Sequence, residues 1–593
     1  MMRGFLGRPL RQLYAQRGLT SLSVQSHKST SPLASEAKHV LCLDVTDRVC
    51  IDEFLQHGLH VDEMSSASLI EALSPEGVDL SKYDALLMDR QTRLPLSDLL
   101  PHAPRLQLIG VPGAQTSHVD ILAATSKGVM VQHIGTKLGG KSAVEAEMVL
   151  SLLLQSVRKI PLAIADTRIP DRDTDNSRFT GEELHGKSIG IVGLNPTGQR
   201  VGELATAMGM RVLAYDPTIS EEAAALSGIA KCGTLQELYA TSDVLTFHVP
   251  LTKRTRAMFS DASLADCKHG VRLVTVGGFG VLDAATVASG LASGKIAGLA
   301  LEMGAQDSAA AGWESVLSHP ATLAMPFDAD ASSDESARMY KMIAENMVAA
   351  LDQRAFPGVV NGVFMPLTLV AEMKPFLALA ESLGKFLMEI IPAKTRKDLR
   401  GITLSTRGGK DIDITTPKAR SALQSALLKG ILDVSHPGPS YSYLNASLVA
   451  MGQGVDVRMG DLENDSGLRL KNAVHVEMEL RGGQRIVVMG SVFGEEPRVV
   501  QVEDYTEFPA FKPQGTLLFF NNQDRPGAIS HVLEQLARAD INIASMGLAR
   551  QDNQPLALGI LTLDGEPDDD TVARIQALNG ITNVRLARMG SIE

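Results

Sequence analysis

The stretch Gly186–Pro217, GKSIGIVGLNPTGQRVGELATAMGMRVLAYDP, decides the fold of this chain. It opens with a short β-branched run, Ser188–Val192, which predicts a buried strand. A turn and a helix-period run follow, and a second strand-like run, Arg211–Tyr215, ends on Asp216. An acid at that place accepts hydrogen bonds from the ribose of a dinucleotide. The stretch therefore predicts a βαβ half-unit of a dinucleotide-binding fold.

The turn in this stretch departs from the pattern that binds a pyrophosphate. It reads G-L-N-P-T-G, so Asn195 replaces the middle glycine of G-x-G-x-x-G, while Gly193 and Gly198 keep the tight turn and the close helix–strand packing. Asparagine tolerates a positive φ better than other non-glycine residues, so we expect the turn to form. Pro196 suits a first helical position but removes an N–H that could face phosphate. The stretch therefore predicts the dinucleotide-binding fold strongly, but it lacks part of the motif that binds the pyrophosphate.

Length and composition indicate an ordinary multidomain globular protein. The 593 residues allow three to five domains at ~150 residues each. A net charge of −12 disfavours nucleic acid or an anionic membrane surface as partner, and no apolar run approaches the ~18 residues of a membrane span. The four cysteines form no C-x-x-C pair, so we predict reduced structural thiols and no metal site.

The first 35 residues differ from the rest of the chain. They are basic and rich in serine, and the first acidic residue is Glu36. This composition predicts an organelle transit peptide, most simply a mitochondrial one. Import into plastids is the other possible destination. The alternative is a disordered tail with no targeting role.

The order of predicted elements indicates an α/β protein with additional α+β modules. Strand-like and helix-period runs alternate through most of the first 330 residues, which predicts doubly wound parallel sheets. Ser142–Leu154 has the apolar density of a long buried helix, and Gly515–Met589 has the βαββαβ order of a ferredoxin-like module. We predict a transit peptide (1–35), a flavodoxin-like lid domain (36–140 with 330–361), a dinucleotide-binding domain (141–329), an intervening domain (362–512) and a ferredoxin-like domain (513–593).

Several short motifs in this order carry a family resemblance. They are Gly186-Lys187, Tyr215-Asp216-Pro217, His248-Val249-Pro250-Leu251, Gly270-Val271-Arg272, Val359-Val360-Asn361, Tyr443-Leu444-Asn445-Ala446, Asp524-Arg525-Pro526-Gly527 and Asp540-Ile541-Asn542-Ile543-Ala544-Ser545. With them the chain resembles the D-3-phosphoglycerate dehydrogenase family, of the long type with an intervening domain and a C-terminal ACT domain. The resemblance covers nearly everything after residue 36.

The resemblance implies a catalytic set that this chain does not retain. In the family an arginine grips the substrate carboxylate, a histidine passes the proton of the 2-hydroxyl, and a glutamate holds that histidine charged. The matching positions here are Gly278, Phe327 and Gln306, and a second substrate-gripping arginine corresponds to Val111. Loss of general acid–base catalysis alone lowers the rate by about 10²–10⁴. The alternative is that a nearby group substitutes, and the histidines of that region are His248, His269 and His319, of which His248 reads as structural.

The resemblance also implies a cofactor and an effector site. Asp216 favours NAD over NADP because it hydrogen-bonds the ribose hydroxyls and repels a 2′-phosphate. Weak NAD binding and a fold retained without cofactor stay open. At the ACT domain an L-serine effector is implied, while capping of a turn and a helix explains the same side chains. The cofactor positions are Gly193, Asn195, Pro196, Thr197, Gly198, Asp216, Val249, Val276 and Glu302, and the effector positions are Asn522, Asp524 and Asn542.

Three functional hypotheses follow. The first is a weak or inactive regulatory paralogue in L-serine biosynthesis, assembled as a homo-oligomer or with an active subunit. The second is an active 2-hydroxyacid dehydrogenase of altered substrate, which needs a replacement proton carrier. The third is an amino-acid sensor that acts through the ACT domain. The small-molecule partners implied are a phosphoglycerate-like acid and serine.

Overall fold

A computed structural model of the chain describes residues 25–27, 37–72, 79–90, 92–113, 116–135, 141–169, 175–276, 278–303, 312–325, 333–408, 412–436, 441–462, 470–550 and 556–590. These residues form two compact units. One unit, residues 47–50 and 134–342, contains a single parallel sheet, and the other contains three further sheets. The predicted α/β class is confirmed.

The lid domain is built on a six-stranded sheet in the order β1-β3-β2-β4-β5-β6. Strands β2 to β6 are parallel and follow the flavodoxin-like order, whereas β1 pairs antiparallel with β3. Strand β1 lies within the segment predicted to be a transit peptide. The elements are β1 Gln25–His27, β2 His39–Leu43, α1 Val49–Gln56, β3 His60–Met64, α2 Ser66–Ala72, β4 Ala85–Met88, α3 Leu96–Leu99, β5 Leu108–Val111, α4 Ile121–Ser126 and β6 Met130–His133.

The dinucleotide-binding domain is a seven-stranded parallel sheet in the order β13-β12-β11-β10-β7-β8-β9. Ile189 and Ile191 pack under helices on one face of β7, and Val192 packs into a separate core on the other face. The elements are α5 Lys141–Val157, α6 Ile160–Asp166, β7 Ser188–Val192, α7 Pro196–Ala207, β8 Arg211–Tyr215, α8 Glu221–Leu226, β9 Ala230–Lys231, α9 Leu235–Thr241, β10 Val244–Phe247, α10 Asp261–Asp266, β11 Val271–Thr275, α11 Ala284–Ala292, β12 Ile296–Glu302, α12 Glu314–Leu317 and β13 Thr322–Met325.

One of two long helices in this region matches a sequence prediction. Helix α5 contains the predicted apolar segment, and Val149, Leu152 and Leu153 are fully buried in the core against the sheet. Helix α13, Ser333–Leu351, follows the sheet, and the boundary between the two units falls within it. Among the helices described, none is long and apolar enough to cross a membrane by itself, although Ser142–Val157 and Ile160–Asp166, bent by 60°, meet that criterion jointly.

The intervening domain is a five-stranded sheet in the order β15-β14-β16-β17-β18, in which only the β14–β15 pair is parallel. Two long helices cross on this sheet with their backbones in contact. A Cβ at Gly384 would clash with the Leu427 carbonyl oxygen, and a Cβ at Gly430 would clash with the Glu381 carbonyl oxygen. The elements are α14 Lys374–Glu389, β14 Leu399–Arg407, α15 Pro417–Ser435, α16 Ala446–Gly452, β15 Asp456–Asp461, β16 Ala473–Leu480, β17 Arg485–Phe493 and β18 Glu496–Val502.

The C-terminal domain has the predicted βαββαβ order, and its sheet order β20-β21-β19-β22 is ferredoxin-like. Leu518 and Phe520 on β19 face the two helices of the domain. Phe519 on the opposite face joins the core of the intervening domain, 5.1 Å from the Phe386 ring. The elements are β19 Thr516–Gln523, α17 Ala528–Arg538, β20 Ile543–Ala549, β21 Leu556–Leu563, α18 Asp569–Gln576 and β22 Ile581–Arg588.

Candidate functional site

The carboxyl edge of the dinucleotide-binding sheet gathers the predicted cofactor residues. Asp216 follows β8, Gly193 follows β7, Val249 lies just beyond β10, Val276 follows β11, and Glu302 ends β12. The neighbours β10 and β7 mark the point where the strand order reverses, which is where ligands bind in open α/β sheets. The parallel topology therefore aligns five residues that are far apart in sequence along one edge.

The turn after β7 requires glycine at two positions. Gly193 has a φ of 95°, and a Cβ there would lie 2.8 Å from the His248 carbonyl oxygen. A Cβ at Gly198 would clash with the Gly193 carbonyl oxygen, because α7 begins against the turn. Neither backbone oxygen can move aside as a flexible side chain could. The two glycines are thus fixed by the packing of the turn itself.

Asn195 forms the N-cap of α7 rather than a left-handed residue. Its φ is −65°, and its side-chain oxygen accepts the Gly198 N–H at 2.8 Å. The expectation that the turn draws on the tolerance of asparagine for positive φ is therefore wrong, because the residue adopts extended backbone as N-caps do. Pro196 occupies the first turn of the helix, as predicted. The Asn195 side chain therefore accepts the Gly198 N–H, a donor at the helix N-terminus that a pyrophosphate oxygen would use.

Asp216 is held by the turn that it faces. One carboxylate oxygen accepts the Leu194 N–H at 2.8 Å, and the other accepts the Thr218 N–H at 2.8 Å and the Thr218 hydroxyl at 2.6 Å. Partial burial raises the pKa of Asp216, but the hydrogen bonds from Thr218 and Leu194 outweigh it and hold the pKa below its usual value. Asp216 is therefore ionised near neutral pH.

The residues of this edge fit a dinucleotide with one compromise. The glycines keep the backbone approach open, and Asp216 is charged and oriented by its neighbours. Thr197 donates to Glu145 at 2.6 Å, which fixes its hydroxyl on the first turn of α7. The compromise lies at Asn195. A bound pyrophosphate would have to displace its side-chain oxygen from the Gly198 N–H or bind beside it.

Gly278, the position matched to the family arginine, lies in a turn with a φ of 117°. Its carbonyl oxygen accepts the Thr275 hydroxyl at 2.9 Å, and no atom of the described residues lies within 4 Å of where a Cβ would stand. The space is open, yet the backbone is in a region that side chains with a Cβ rarely adopt. An arginine could not simply be placed here on the same backbone.

The other catalytic matches have different outcomes. Gln306 and Phe327 lie outside the described residues. Val111 ends β5 of the lid domain and is fully buried in that domain's core, so it presents no group to a substrate.

His248 is a buried, neutral side chain. Its ring Nε2 lies 2.9 Å from the Thr246 hydroxyl, which is itself fully buried. Burial lowers the pKa of His248 from 6.5 to about 4, so the imidazole stays uncharged near neutral pH. A buried, uncharged side chain of this kind has a structural role and does not exchange protons with a substrate. Of the other candidate histidines, His319 accepts the Ala321 N–H at 3.2 Å within its own loop.

The carboxyl edge of the lid sheet contains an ionisable group that the sequence analysis missed. His118 follows β5, and its Nε2 is buried without a hydrogen-bond partner among the described residues. Burial lowers the pKa of His118, Asp89 opposes this shift, and Arg93 reinforces it. Arg90 lies over the turn after β5, because its Cδ would be 3.1 Å from a Cβ on Gly113. The cluster of Asp89, Arg90 and Arg93 just after β4 is the sequence signal by which this group of ionisable residues could have been found.

The predicted effector residues lie near the turns of the ferredoxin-like domain in unlike settings. Asn522 is 2% exposed, and its side-chain oxygen has no hydrogen-bond partner among the described residues. Asp524 is bound by both the Nε and Nη2 of Arg550 at 3.0 and 3.1 Å. Asn542 donates to Asp564 at 2.6 Å. Only Asn522 offers a buried polar atom that still needs a partner.

Metal ligation has no support within the described ranges, since no group of three or more His, Cys, Asp or Glu residues there could hold an ion. The four cysteines are buried, and none of them forms a disulfide. Burial raises the pKa of Cys267 to about 12, so its thiol stays protonated.

Two family models match the chain. Residues 150–329 match the D-isomer specific 2-hydroxyacid dehydrogenase NAD binding domain, and residues 372–503 match the D-3-phosphoglycerate dehydrogenase intervening domain.

Similar proteins extend over most of the chain. D-3-phosphoglycerate dehydrogenase of Archaeoglobus fulgidus is 28% identical over 550 residues, which cover 91% of this chain and 98% of that protein. The rat protein of the same name is 27% identical over 511 residues, which cover 86% and 92%. Among solved structures, apo D-lactate dehydrogenase from Escherichia coli is 20% identical, covers 54% of this chain and 99% of that chain, and has a TM-score of 0.44.

Proposed function

The chain belongs to the D-2-hydroxyacid dehydrogenase family and carries the intervening domain of its D-3-phosphoglycerate dehydrogenases, and from this we propose that it is a weak or inactive regulatory relative of those enzymes. Its context would be L-serine biosynthesis, in which the relatives' reaction is the NAD-dependent oxidation of 3-phosphoglycerate. The partner would be a further copy of this chain or an active paralogue.

The observation that carries the proposal is a contrast along one sheet edge. At the turn after β7, Gly193, Gly198 and the charged Asp216 keep the frame of an NAD site. At the turn after β11, Gly278 stands where the family needs a guanidinium, on a backbone that disfavours any side chain. A carboxylate substrate would lack its planar, bidentate partner there. Binding of the cofactor and turnover of the substrate are therefore separable in this chain.

The chain's own residues have limited roles toward a bound cofactor. NAD, when bound, supplies a hydride acceptor. Asp216 would accept the ribose hydroxyls, and the turn from Gly193 to Gly198 would admit the pyrophosphate close to the backbone. Asn195 caps α7 with its own amide, so the helix N-terminus offers fewer donors to an anion than an uncapped one. We expect NAD to bind more weakly than in a site with a middle glycine.

Regulation would enter through the C-terminal domain, which we propose is an ACT domain that binds L-serine. The buried, unpartnered oxygen of Asn522 supports this, because an α-ammonium group is the kind of donor that would satisfy it. The pairing of Asp524 with Arg550 means that this carboxylate would have to change partners to contact a ligand.

The test is calorimetric titration of the full chain with NADH, followed in the same sample by a 3-phosphoglycerate oxidation assay. We expect NADH to bind and turnover to lie at least about 10²-fold below that of an active relative measured in parallel. Turnover comparable with the active relative would contradict the proposal and would mean that another residue carries the proton. Absence of NADH binding would reject the retained cofactor site.

A second candidate is an active 2-hydroxyacid dehydrogenase of altered substrate, and His118 is the observation that favours it. Its unpartnered Nε2 sits on the carboxyl edge of the lid sheet under the influence of Asp89 and Arg93. A panel of 2-hydroxy acids assayed on the wild type and on His118→Asn would test it. A substrate whose turnover is lost in the variant, with NADH binding unchanged, would favour this function, whereas turnover independent of His118 would reject its role.

A third candidate is a sensor that binds amino acids without any dehydrogenase activity, which the same Asn522 oxygen supports. Serine binding that is lost in Asn522→Ala, together with absent NADH binding, would select it. For localisation we propose import into mitochondria, or into plastids, because residues 1–35 are basic, serine-rich and free of acids. Import of a fusion of residues 1–35 to a reporter into isolated organelles would test this, and a reporter that stays outside both would reject it.

A further inference from the structure

The intervening domain contains a cavity that none of the functions above uses. Its volume is about 270 Å³, and it opens between the end of α15, the end of α16 and the start of β14. Its lining combines an apolar floor with two cationic side chains. The cavity lies in a part of the fold separate from the turns that hold Asn522 and Gly193.

The floor is aliphatic. It consists of side chains that the packing of two helices against one strand leaves facing the cavity, namely Leu399, Leu428, Ile431, Leu432, Ala450 and Val455. These residues are at most 8% exposed, so the floor is a rigid part of the domain core. A ligand that covers it gains the free energy of removing its own apolar surface from water.

One wall is cationic. Arg396 pairs with Glu389 through Nη2 at 3.3 Å, but its Nε is buried without a hydrogen-bond partner in the described part of the chain. The Arg396 side chain lines the cavity, and its guanidinium has donors in addition to the Nη2 that pairs with Glu389. Lys397 is exposed at the rim and forms no ion pair with any described residue. Together they suit a carboxylate.

The end of a helix contributes negative potential to the lining. The 19-residue helix α15 ends at Ser435, and Ser435 and His436 line the cavity. The C-terminus of a helix bears a partial negative charge, which attracts cations such as an ammonium group. The cavity thus offers a site for a carboxylate, a site for an ammonium and an aliphatic floor between them.

We propose that this cavity binds an aliphatic α-amino acid as its zwitterion. The carboxylate faces the guanidinium of Arg396 and the ammonium of Lys397, the ligand's own ammonium faces the C-terminal end of α15, and the side chain lies on the floor. The simpler explanation is that the two cations only neutralise helix ends around a water-filled cavity, and it is an outcome of the test.

The test is calorimetric titration of the full chain with L-leucine and with two analogues, 4-methylpentanoate, which lacks the amine, and 3-methylbutylamine, which lacks the carboxylate. We expect L-leucine to bind and each analogue to bind at least about tenfold more weakly, because a charge-assisted hydrogen bond is lost. Equal affinity for either analogue would overturn the zwitterion assignment. Absence of leucine binding would leave the water-filled cavity and overturn the proposal.

Variants locate the site. Lys397→Gln lies at an exposed position and should weaken leucine binding several-fold, and Arg396→Lys keeps the charge but removes the Nε donor and should do the same. Lys394→Gln, in the same short 3-10 helix but outside the cavity lining, is the matched control and should bind as the wild type does. Binding that survives both cavity variants and is lost in Asn522→Ala would place leucine at the ferredoxin-like domain and overturn the proposal.

Discussion

The turn after β7 and the turn after β11 lie on the same edge of one sheet, yet different forces fix their residues. Gly193 and Gly198 are enclosed by backbone atoms, so a larger residue at either position would disturb the βαβ unit itself. No atom of the described part of the chain lies within 4 Å of a Cβ built on Gly278, and its φ of 117° is the feature there that favours glycine. The packing of the fold therefore requires the two glycines of the first turn, whereas at Gly278 the described packing leaves room for a side chain.

The largest expected effect is on the enclosed turn. Gly198→Ala places a Cβ against the Gly193 carbonyl, and we expect the free energy of unfolding to fall by about 3 kcal/mol, since overpacking outweighs the helix propensity of alanine. Urea denaturation measures it. Gly233→Ala is the control, because its Cβ would meet only the Glu237 carboxylate at 3.7 Å, and it should change stability by less than about 1 kcal/mol. Equal losses of stability in the two variants would show that enclosure by backbone atoms does not distinguish this turn from an open one.

The next effect concerns His248, whose carbonyl supports that turn. Its pKa of about 4 lies below the 6.5 of an unfolded histidine, so the unfolded chain takes up the proton first. The stability from neutral His248 is complete above pH 6.5 and is lost as the pH falls toward 4. Between pH 7 and 4.5 this amounts to about 2–3 kcal/mol.

The measurement for His248 is the pH dependence of urea unfolding in the wild type and in His248→Gln, which does not titrate and can still hydrogen-bond Thr246. We expect the wild type to lose about 2–3 kcal/mol more than the variant over that range. Parallel pH profiles of the two proteins would argue that His248 is not buried in its neutral form.

A smaller effect tests the open turn. Gly278→Arg restores the residue type of the family but forces a side chain onto a positive φ, which costs about 1–2 kcal/mol. We expect this loss of stability and a gain in 3-phosphoglycerate turnover of less than about tenfold, because Phe327 still supplies no proton carrier. Gly278→Ala carries the same strain without the charge. A hundredfold gain in the arginine variant alone would mean that the open turn lacks only its cation.

The smallest effect concerns the cap of α7. Asn195→Gly frees the Gly198 N–H for an anion, and replacing an asparagine N-cap by glycine lowers stability by only a few tenths of a kcal/mol. We expect NADH to bind several-fold more tightly, measured by calorimetry. Asn195→Ala removes the same cap at a cost of about 1 kcal/mol and separates the amide from the glycine backbone. Weaker NADH binding in both variants would show that the amide itself contacts the cofactor.

A parallel contrast exists between the two sites that small molecules could regulate. At the ferredoxin-like domain two of three predicted effector residues are already paired, Asp524 with Arg550 and Asn542 with Asp564. At the intervening-domain cavity Arg396 is paired with Glu389, but Lys397 is exposed at the rim and forms no ion pair with a described residue. A site with satisfied groups needs a rearrangement to bind, and a preformed cavity does not.

The sequence determined the architecture because periodicity and strand order are local signals. The β-branched run of β7, the strand-like run of β8, the buried helix α5 and the βαββαβ order after Gly515 are readable from the sequence, and the structure confirms each of them. The positions of Gly193, Gly198 and Asp216 also follow from a short motif. Domain limits and the roles of the site residues stay predictions.

Tertiary structure decided what each of those residues can do. The left-handed backbone of Gly193 against the His248 carbonyl and the neutral state of His248 depend on neighbours from other strands. The unpartnered Asn522 oxygen and the cavity beside Arg396 arise where separate elements meet. Backbone conformation, ionisation and cavity shape are set by contacts between residues distant in sequence, so no local pattern encodes them.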